Sequence, residues 1–319
     1  MATILITGGT GMIGTRLTQL LSDKGYDVII LTRSSANIRP MPILHAAQNG
    51  VSYANWDIDK QTIDKEAIAK TDHIIHLAGA GVADKRWSIK RKQEIVNSRI
   101  KSSALLVKAL QEIPNKVATV VSSSAIGWYG ADTTKSKLDG FSEEEPADKE
   151  FLGETCRLWE HSIDPVEKLG KRLVKLRTGI VLSNKGGALA EFKKPLKLGI
   201  AAILGGGQQV ISWIHVDDLC QMFIHAIENT DLRGVYNAVA PNPVSNKYLT
   251  ITLAKKLRGN YFIPVHIPAF LLKIILGEMS IEVLKSATVK SIKIEASGFH
   301  FRYPTIETAL LQLDKPISS

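Results

Sequence analysis

The sequence predicts an α/β fold: a Rossmann-type, doubly wound parallel sheet with a smaller, mainly helical C-terminal lobe. Short apolar runs alternate with helical-period segments over roughly the first 180 residues, as in a parallel sheet covered on both faces. A glycine-rich turn separates the first apolar run from the first amphipathic segment. Beyond Arg177 the alternation gives way to glycine-marked loops and short helical patterns.

In order, Thr3 to Thr7 reads as a strand stopping at Gly8-Gly9. Met12 to Leu21 has apolar residues at 12, 13, 17, 20 and 21, a helical period. Val28–Leu31, Val51–Ala54, His73–Leu77, Val117–Val121 and Leu173–Leu176 read as further strands. Trp87 to Leu110 and Phe151 to Lys168 read as helices. Residues 1–180 thus form a nucleotide-binding domain. Residues 181–319 form a second lobe, with a C-terminal module at 264–313. A helix at Val216–Glu228 and a strand at Val235–Val239 are expected to return to the first domain. Ile263 to Gly277 is the most apolar late stretch; interrupted by Pro264, Pro268 and Lys273, it is too short to span a bilayer and reads as a buried or amphipathic helix.

Composition narrows the function classes. The 319 residues are 45% hydrophobic and 22% charged, which fits a globular protein rather than a disordered one. The start, Met1-Ala2-Thr3-Ile4, lacks the features of an export leader, so a cytoplasmic protein with no membrane partner is expected. Two cysteines, Cys156 and Cys220, make neither a disulfide framework nor a metal-ligand spacing, so no metal is expected. The formal charge of +9 reads first as a lysine-rich surface and second as a site for an anionic ligand. With 6% aromatic residues and scattered basic ones, nucleic acid is not an expected partner. The sequence leaves the oligomeric state open.

The turn Gly8-Gly9-Thr10-Gly11-Met12-Ile13-Gly14 follows a strand and opens a helix. Its first glycine permits the tight turn, Gly11 lets the backbone approach a pyrophosphate, and Gly14 lets the helix pack against the strand. The helix N-terminus offers unpaired N–H groups and a partial positive charge to the phosphates. At the end of the second strand, a site for NAD usually places an acidic residue on the ribose 2′-hydroxyl. This chain has Leu31-Thr32-Arg33-Ser34 instead. Arg33 suits a 2′-phosphate, so the expected cofactor is NADP(H). Asp57 is either a partner for the adenine amino group or an ordinary turn aspartate.

Five segments resemble the extended short-chain dehydrogenase/reductase superfamily, which includes the nucleotide-sugar epimerases. They are Thr7 to Gly14, His76 to Ala80, Ser122 to Ala125, Arg177-Thr178-Gly179, and Trp213 to Leu219. Further segments resemble an atypical branch, the "epimerase family proteins": Arg86-Trp87, Asn97-Ser98-Arg99, Phe151-Leu152 with Trp159-Glu160, and Gly205 to Gln209. Leu276 to Met279 and Ser297 to Pro304 resemble that branch's C-terminal module. The resemblance implies cofactor contacts from Gly8, Thr10, Gly11, Met12, Ile13, Gly14, Thr32, Arg33, Asp57, Leu77, Ala78, Gly79, Glu94, Arg99, Ser122 and Val181. For Glu94 and Arg99 a helix-surface salt bridge is the plainer alternative. Gln209 and Trp213 are implied to line the substrate cleft.

Catalysis in the superfamily uses a Ser, a Tyr and a Lys four residues after the Tyr. Ser124 fits the serine position. Counting back from Glu160, the other two positions hold Leu152 and Cys156. Leu152 cannot transfer a proton, and a helix cysteine is more often packing. The acid is therefore assigned to Tyr129, in Gly127-Trp128-Tyr129-Gly130, with an aromatic packing role as its alternative. His215 and Asp217 invite a catalytic reading, but Asp217 reads equally as a helix N-cap. Two functions follow. One is an NADP(H)-dependent oxidoreductase or epimerase acting on an unidentified small, polar, sugar-nucleotide-like substrate. The other is a non-catalytic NADP(H)-binding redox sensor or partner-binding protein.

Overall fold

The structure is a computed structural model and describes residues 2–33 and 50–313. Ser34 and the last six residues of the second lobe lie outside the described residues. The first half runs β1 (Thr3–Thr7), α1 (Met12–Asp23), β2 (Asp27–Thr32), β3 (Val51–Asp57), β4 (Thr62–Ile63), α2 (Lys65–Lys70), β5 (His73–His76) and α3 (Ile89–Glu112). It continues with β6 (Thr119–Ala125), a 3-10 turn at Ile126–Tyr129, α4 (Thr134–Asp139), α5 (Phe151–Ile163), α6 (Pro165–Lys168) and β7 (Arg172–Thr178).

The second half runs β8 (Ile180–Leu182), α7 (Ala188–Leu196), β9 (Ile200–Leu204), β10 (Val210–Ile211), β11 (Trp213–His215), α8 (Val216–Glu228), β12 (Gly234–Ala238) and β13 (Val244–Ser245). It ends with α9 (Asn246–Arg258), β14 (Ile263–Ile267), α10 (Ala269–Leu276), a 3-10 turn at Gly277–Met279, α11 (Ser280–Leu284), α12 (Ile292–Ala296) and α13 (Ile306–Gln312).

The main sheet has the order β12-β7-β6-β5-β1-β2-β3-β4. Every pairing is parallel except that of β3 with β4. Alternation within β1 shows why the strands are apolar throughout. Ile4 and Ile6 join the core under α1 and α8, whereas Leu5 joins the core under α2 and α3. The order reverses between β1 and β5, and the crevice at their carboxyl ends is where such sheets bind ligands.

Beyond shifts of a few residues at element ends, two segments differ from the sequence reading. The segment Phe151–Lys168 breaks at Asp164 because Pro165 starts a new turn. Ile263–Ile267 is a strand paired with β9, so only Ala269–Leu276 is helical. That helix is not buried: Leu272 is its single buried residue. The C-terminal module also divides. Ile294 and Phe299 pack into the core of the main sheet, while Tyr303, Ile306 and Leu310 pack into the core of the second lobe.

Candidate functional site

The glycine turn has the shape that a phosphate loop requires. Gly8 has φ +70°, and a Cβ there would lie 3.0 Å from the Leu77 carbonyl group. A Cβ on Gly14 would lie 2.4 Å from the Gly8 oxygen, so α1 reaches this close only without one. Gly11 is different: its φ of −76° suits any residue. A Cβ there would meet only the Gly8 oxygen, at 3.3 Å, leaving the outward side clear. Gly11 is the N-cap of α1 and supplies no side-chain acceptor, and the first turn carries no acidic residue. The opening amides of α1, those of Met12 and Ile13 among them, therefore face outward unpaired within the helix. This cradle fits a dinucleotide pyrophosphate.

Polar groups at the strand ends fix the floor. The amides of Leu77 and Ala78 donate to Thr7 Oγ1 at 3.1 and 3.2 Å. The Thr7 hydroxyl then donates to His76 Nδ1 at 2.7 Å, and His76 Nε2 donates to Ser103 Oγ at 3.1 Å. Burial lowers the His76 pKa to about 3, so the ring stays neutral and keeps this pattern. The sequence reading missed Thr7 and His76 as a pair. Their signal was a polar residue ending each of two apolar runs.

The other cofactor positions surround this cradle. Thr10 is exposed beside Gly11, and Arg33 is exposed just past Thr32 at the carboxyl end of β2. Asp57 Oδ1 accepts the amides of Asp59 and Lys60, as a turn aspartate does. Those amide bonds, that of Lys60 foremost, hold its carboxyl below the usual range. Gly79 lies against the Arg99 guanidinium, which donates to the Ala80 and Ile95 carbonyls and sits 4.8 Å above the Trp159 ring. Burial lowers the Arg99 pKa. Glu94 is exposed and pairs with Arg91 at 2.7 Å. Ser122 is buried, donating to the Ser123 carbonyl. Val181 packs near Gly187, which lies against the Met12 thioether.

Four residues expected at the site make hydrogen bonds within the protein. Ser124 Oγ donates to Glu160 Oε1 at 2.7 Å. Its hydrogen is therefore not available to polarise a substrate carbonyl. Tyr129 is buried, donates to Asn237 Oδ1 at 2.6 Å and accepts from Arg177 Nη1 at 3.1 Å. It stacks on Phe141, and burial pushes its phenol up to about 12. These contacts match the aromatic packing role named as its alternative. Trp213 is fully buried in the second lobe's core, with its indole N–H donating to the Asn242 carbonyl. Gln209 is buried, and its amide donates to the Leu204 carbonyl. Both lie in the protein interior.

Leu152 and Cys156 lie beneath Gly127, where a Cβ would meet them at 3.1 and 3.6 Å. Burial pushes the Cys156 thiol up to about 12. The segment from His215 is structural. His215 Nδ1 caps α8 by accepting the Asp217 amide, so the cap is the histidine and not the aspartate. Asp217 forms a two-pronged ion pair with Arg16 on α1, at 2.6 and 3.1 Å. Asp218 accepts the Arg302 and Tyr303 amides, tying the C-terminal module to α8. Among the described residues no cluster of side chains could hold a metal ion, and no helix is long and apolar enough to cross a membrane.

The sheet order and glycine cradle define the class, a Rossmann-type short-chain dehydrogenase/reductase of the extended kind. A sequence profile for the NAD dependent epimerase/dehydratase family matches residues 4–155, and a profile for a domain of unknown function, DUF1731, matches residues 267–313. The epimerase family protein YfhF of Bacillus subtilis is 35% identical over 311 residues, 97% of each chain. The chain belongs to this epimerase family. Among solved structures, the human epimerase family protein SDR39U1 (isoform 2) with NADPH superposes with a TM-score of 0.82 at 28% identity, covering 98% of each chain. A nucleoside-diphosphate sugar epimerase from Corynebacterium glutamicum matches with a TM-score of 0.73 at 31% identity, over 97% of this chain and 57% of that one.

Proposed function

We propose that this chain is an NADP(H)-dependent oxidoreductase of the epimerase family that works without a side-chain proton relay. The observation that carries the cofactor is the cradle at Gly11, clear on its outward side, with α1 held close behind it because Gly14 has no Cβ. Gly11, Met12 and Ile13 would hold the pyrophosphate, and Arg33 would take the 2′-phosphate. Leu77 to Gly79 and Arg99, on the β5 side of the loop, would meet the nicotinamide half. The human relative's structure with NADPH supports NADP(H) over NAD.

When bound, the cofactor supplies hydride chemistry. This chain's residues bind and orient it. They supply no acid at the usual positions, because Leu152 is apolar, Cys156 is a buried thiol, and the Ser124 and Tyr129 hydroxyls are bound elsewhere. The proton for a reduced product then comes from the ligand or from water. A second reading, a non-catalytic NADP(H) sensor, is favoured by that same commitment of Ser124 and Tyr129. The test is NADPH binding by calorimetry beside NADPH oxidation against sugar nucleotides, aldehydes and ketones. Turnover that survives Tyr129→Phe supports the oxidoreductase. Tight binding without turnover across the panel supports the sensor. Absence of NADPH binding overturns both.

A further inference from the structure

The C-terminal module exposes an apolar ridge. On α10, Phe270, Ile274 and Ile275 are 66%, 65% and 59% exposed, and only Leu272 turns inward. Ile263 on β14, the strand that leads into α10, and Tyr261 just before it are also exposed. Leu198 adjoins them, since the Ile263 amide donates to the Gly199 carbonyl. Single exposed apolar side chains are ordinary, but this many on adjoining elements mark an interaction surface.

The surroundings indicate the occupant. Exposed cations lie on the same elements or on ones joined to them: Lys273 on α10, Lys255 and Arg258 at the end of α9, and Lys197 after α7, where the Arg258 guanidinium donates to the Leu196 and Lys197 carbonyls. Docking this face on a second copy about a twofold axis would set those cations against one another. Pro264 removes an N–H donor from the outer edge of β14, which disfavours a partner that adds a strand. The side chains stand out rather than line a groove, so the occupant yields to a ridge. An eight-residue helix is about 12 Å long, too short to span a bilayer but suited to lying within its interface.

We propose that this ridge docks on an anionic membrane surface, with the α10 side chains among the acyl chains and the cations at the headgroups. This departs from the sequence expectation of no membrane partner, which rested on the lack of an export leader and of a spanning helix; this surface exists only once β14 and α10 are folded beside β9. The segment after α10 is tied to the first domain: Gly277 lies against Arg86, and Glu278 pairs with Lys92 at the start of α3.

The experiment is co-sedimentation of the full chain with vesicles of phosphatidylglycerol and phosphatidylcholine, and with vesicles of phosphatidylcholine alone. Binding is expected on the anionic vesicles and is expected to weaken with salt. Phe270→Ser and Ile274→Ser should each weaken it by about tenfold or more, and Lys255→Ala by about fivefold. All three positions are exposed, so melting temperature and NADPH affinity should stay unchanged. The proposal is overturned by no binding at low salt, by equal binding to both vesicle types, or by binding indifferent to the serine variants. It is also overturned if the ridge proves to be a dimer face, that is, if the chain self-associates and Phe270→Ser abolishes the association.

Discussion

Ser124 donates its hydroxyl hydrogen to Glu160, whose carboxylate also binds Arg177 at 2.8 Å. The three are buried together, so Ser124 supports an ion pair rather than facing a substrate. Ser124→Ala should cost about 1 kcal/mol in urea denaturation and leave NADPH affinity unchanged. Glu160→Leu should cost about 3–5 kcal/mol, because it strands the Arg177 charge. A Ser124→Ala protein of full stability with tenfold weaker NADPH binding would place Ser124 at the cofactor instead.

Gly11 and Gly14 should respond in opposite ways. Gly11→Val keeps an ordinary backbone angle and meets little protein, so it should fold normally and lose NADPH binding. Gly14→Ala forces a Cβ to within 2.4 Å of the Gly8 oxygen, so it should lower the melting temperature. Calorimetric titration and thermal melting of both variants separate the roles. Unaltered NADPH binding by Gly11→Val would refute the loop assignment.

His76 gives stability a pH dependence. Burial lowers its folded pKa to about 3, while the unfolded ring titrates near 6.5. The unfolded chain therefore binds the proton more readily. The stability is fully present above about pH 6.5 and is lost as pH falls toward 3, by at most about tenfold in the folding equilibrium per pH unit. His76→Gln, which can still pair with Thr7 and Ser103, should show a slope shallower by one proton between about pH 6 and pH 4. Identical slopes in urea denaturation would show that His76 is not held neutral.

Cys156 should be chemically silent. Its thiol is buried and pushed up to about 12, so almost no thiolate exists at neutral pH. A thiol reagent should modify it only at the rate of unfolding, and Cys156→Ala should leave NADPH binding unchanged. Rapid modification of the folded protein would reveal an accessible nucleophile.

Much of the fold was legible because its signals are local. Strands buried on both faces are apolar throughout, and the glycine turn carries its own geometry. What failed was tertiary. Ile263–Ile267 became a strand only by pairing with β9, some 60 residues earlier. Trp213, Gln209 and Tyr129 are polar-tipped side chains whose burial no short window reveals. Glu160 and Arg177 were in view as charged residues on apolar elements, the usual mark of a buried pair. Read that way, they would have pointed to the Ser124 bond.

The central claim is that the cradle binds a dinucleotide carrying a 2′-phosphate, read by Arg33. Calorimetric titration of the wild type with NADPH and with NADH tests it most directly, with Arg33→Ala beside it. A charge-assisted bond contributes about 1.5–3 kcal/mol, and about 1.4 kcal/mol is tenfold. NADPH should therefore bind at least about tenfold more tightly than NADH. Arg33→Ala should remove that preference while leaving NADH affinity almost unchanged. Equal affinity of the wild type for both dinucleotides, or binding of neither, would contradict the account.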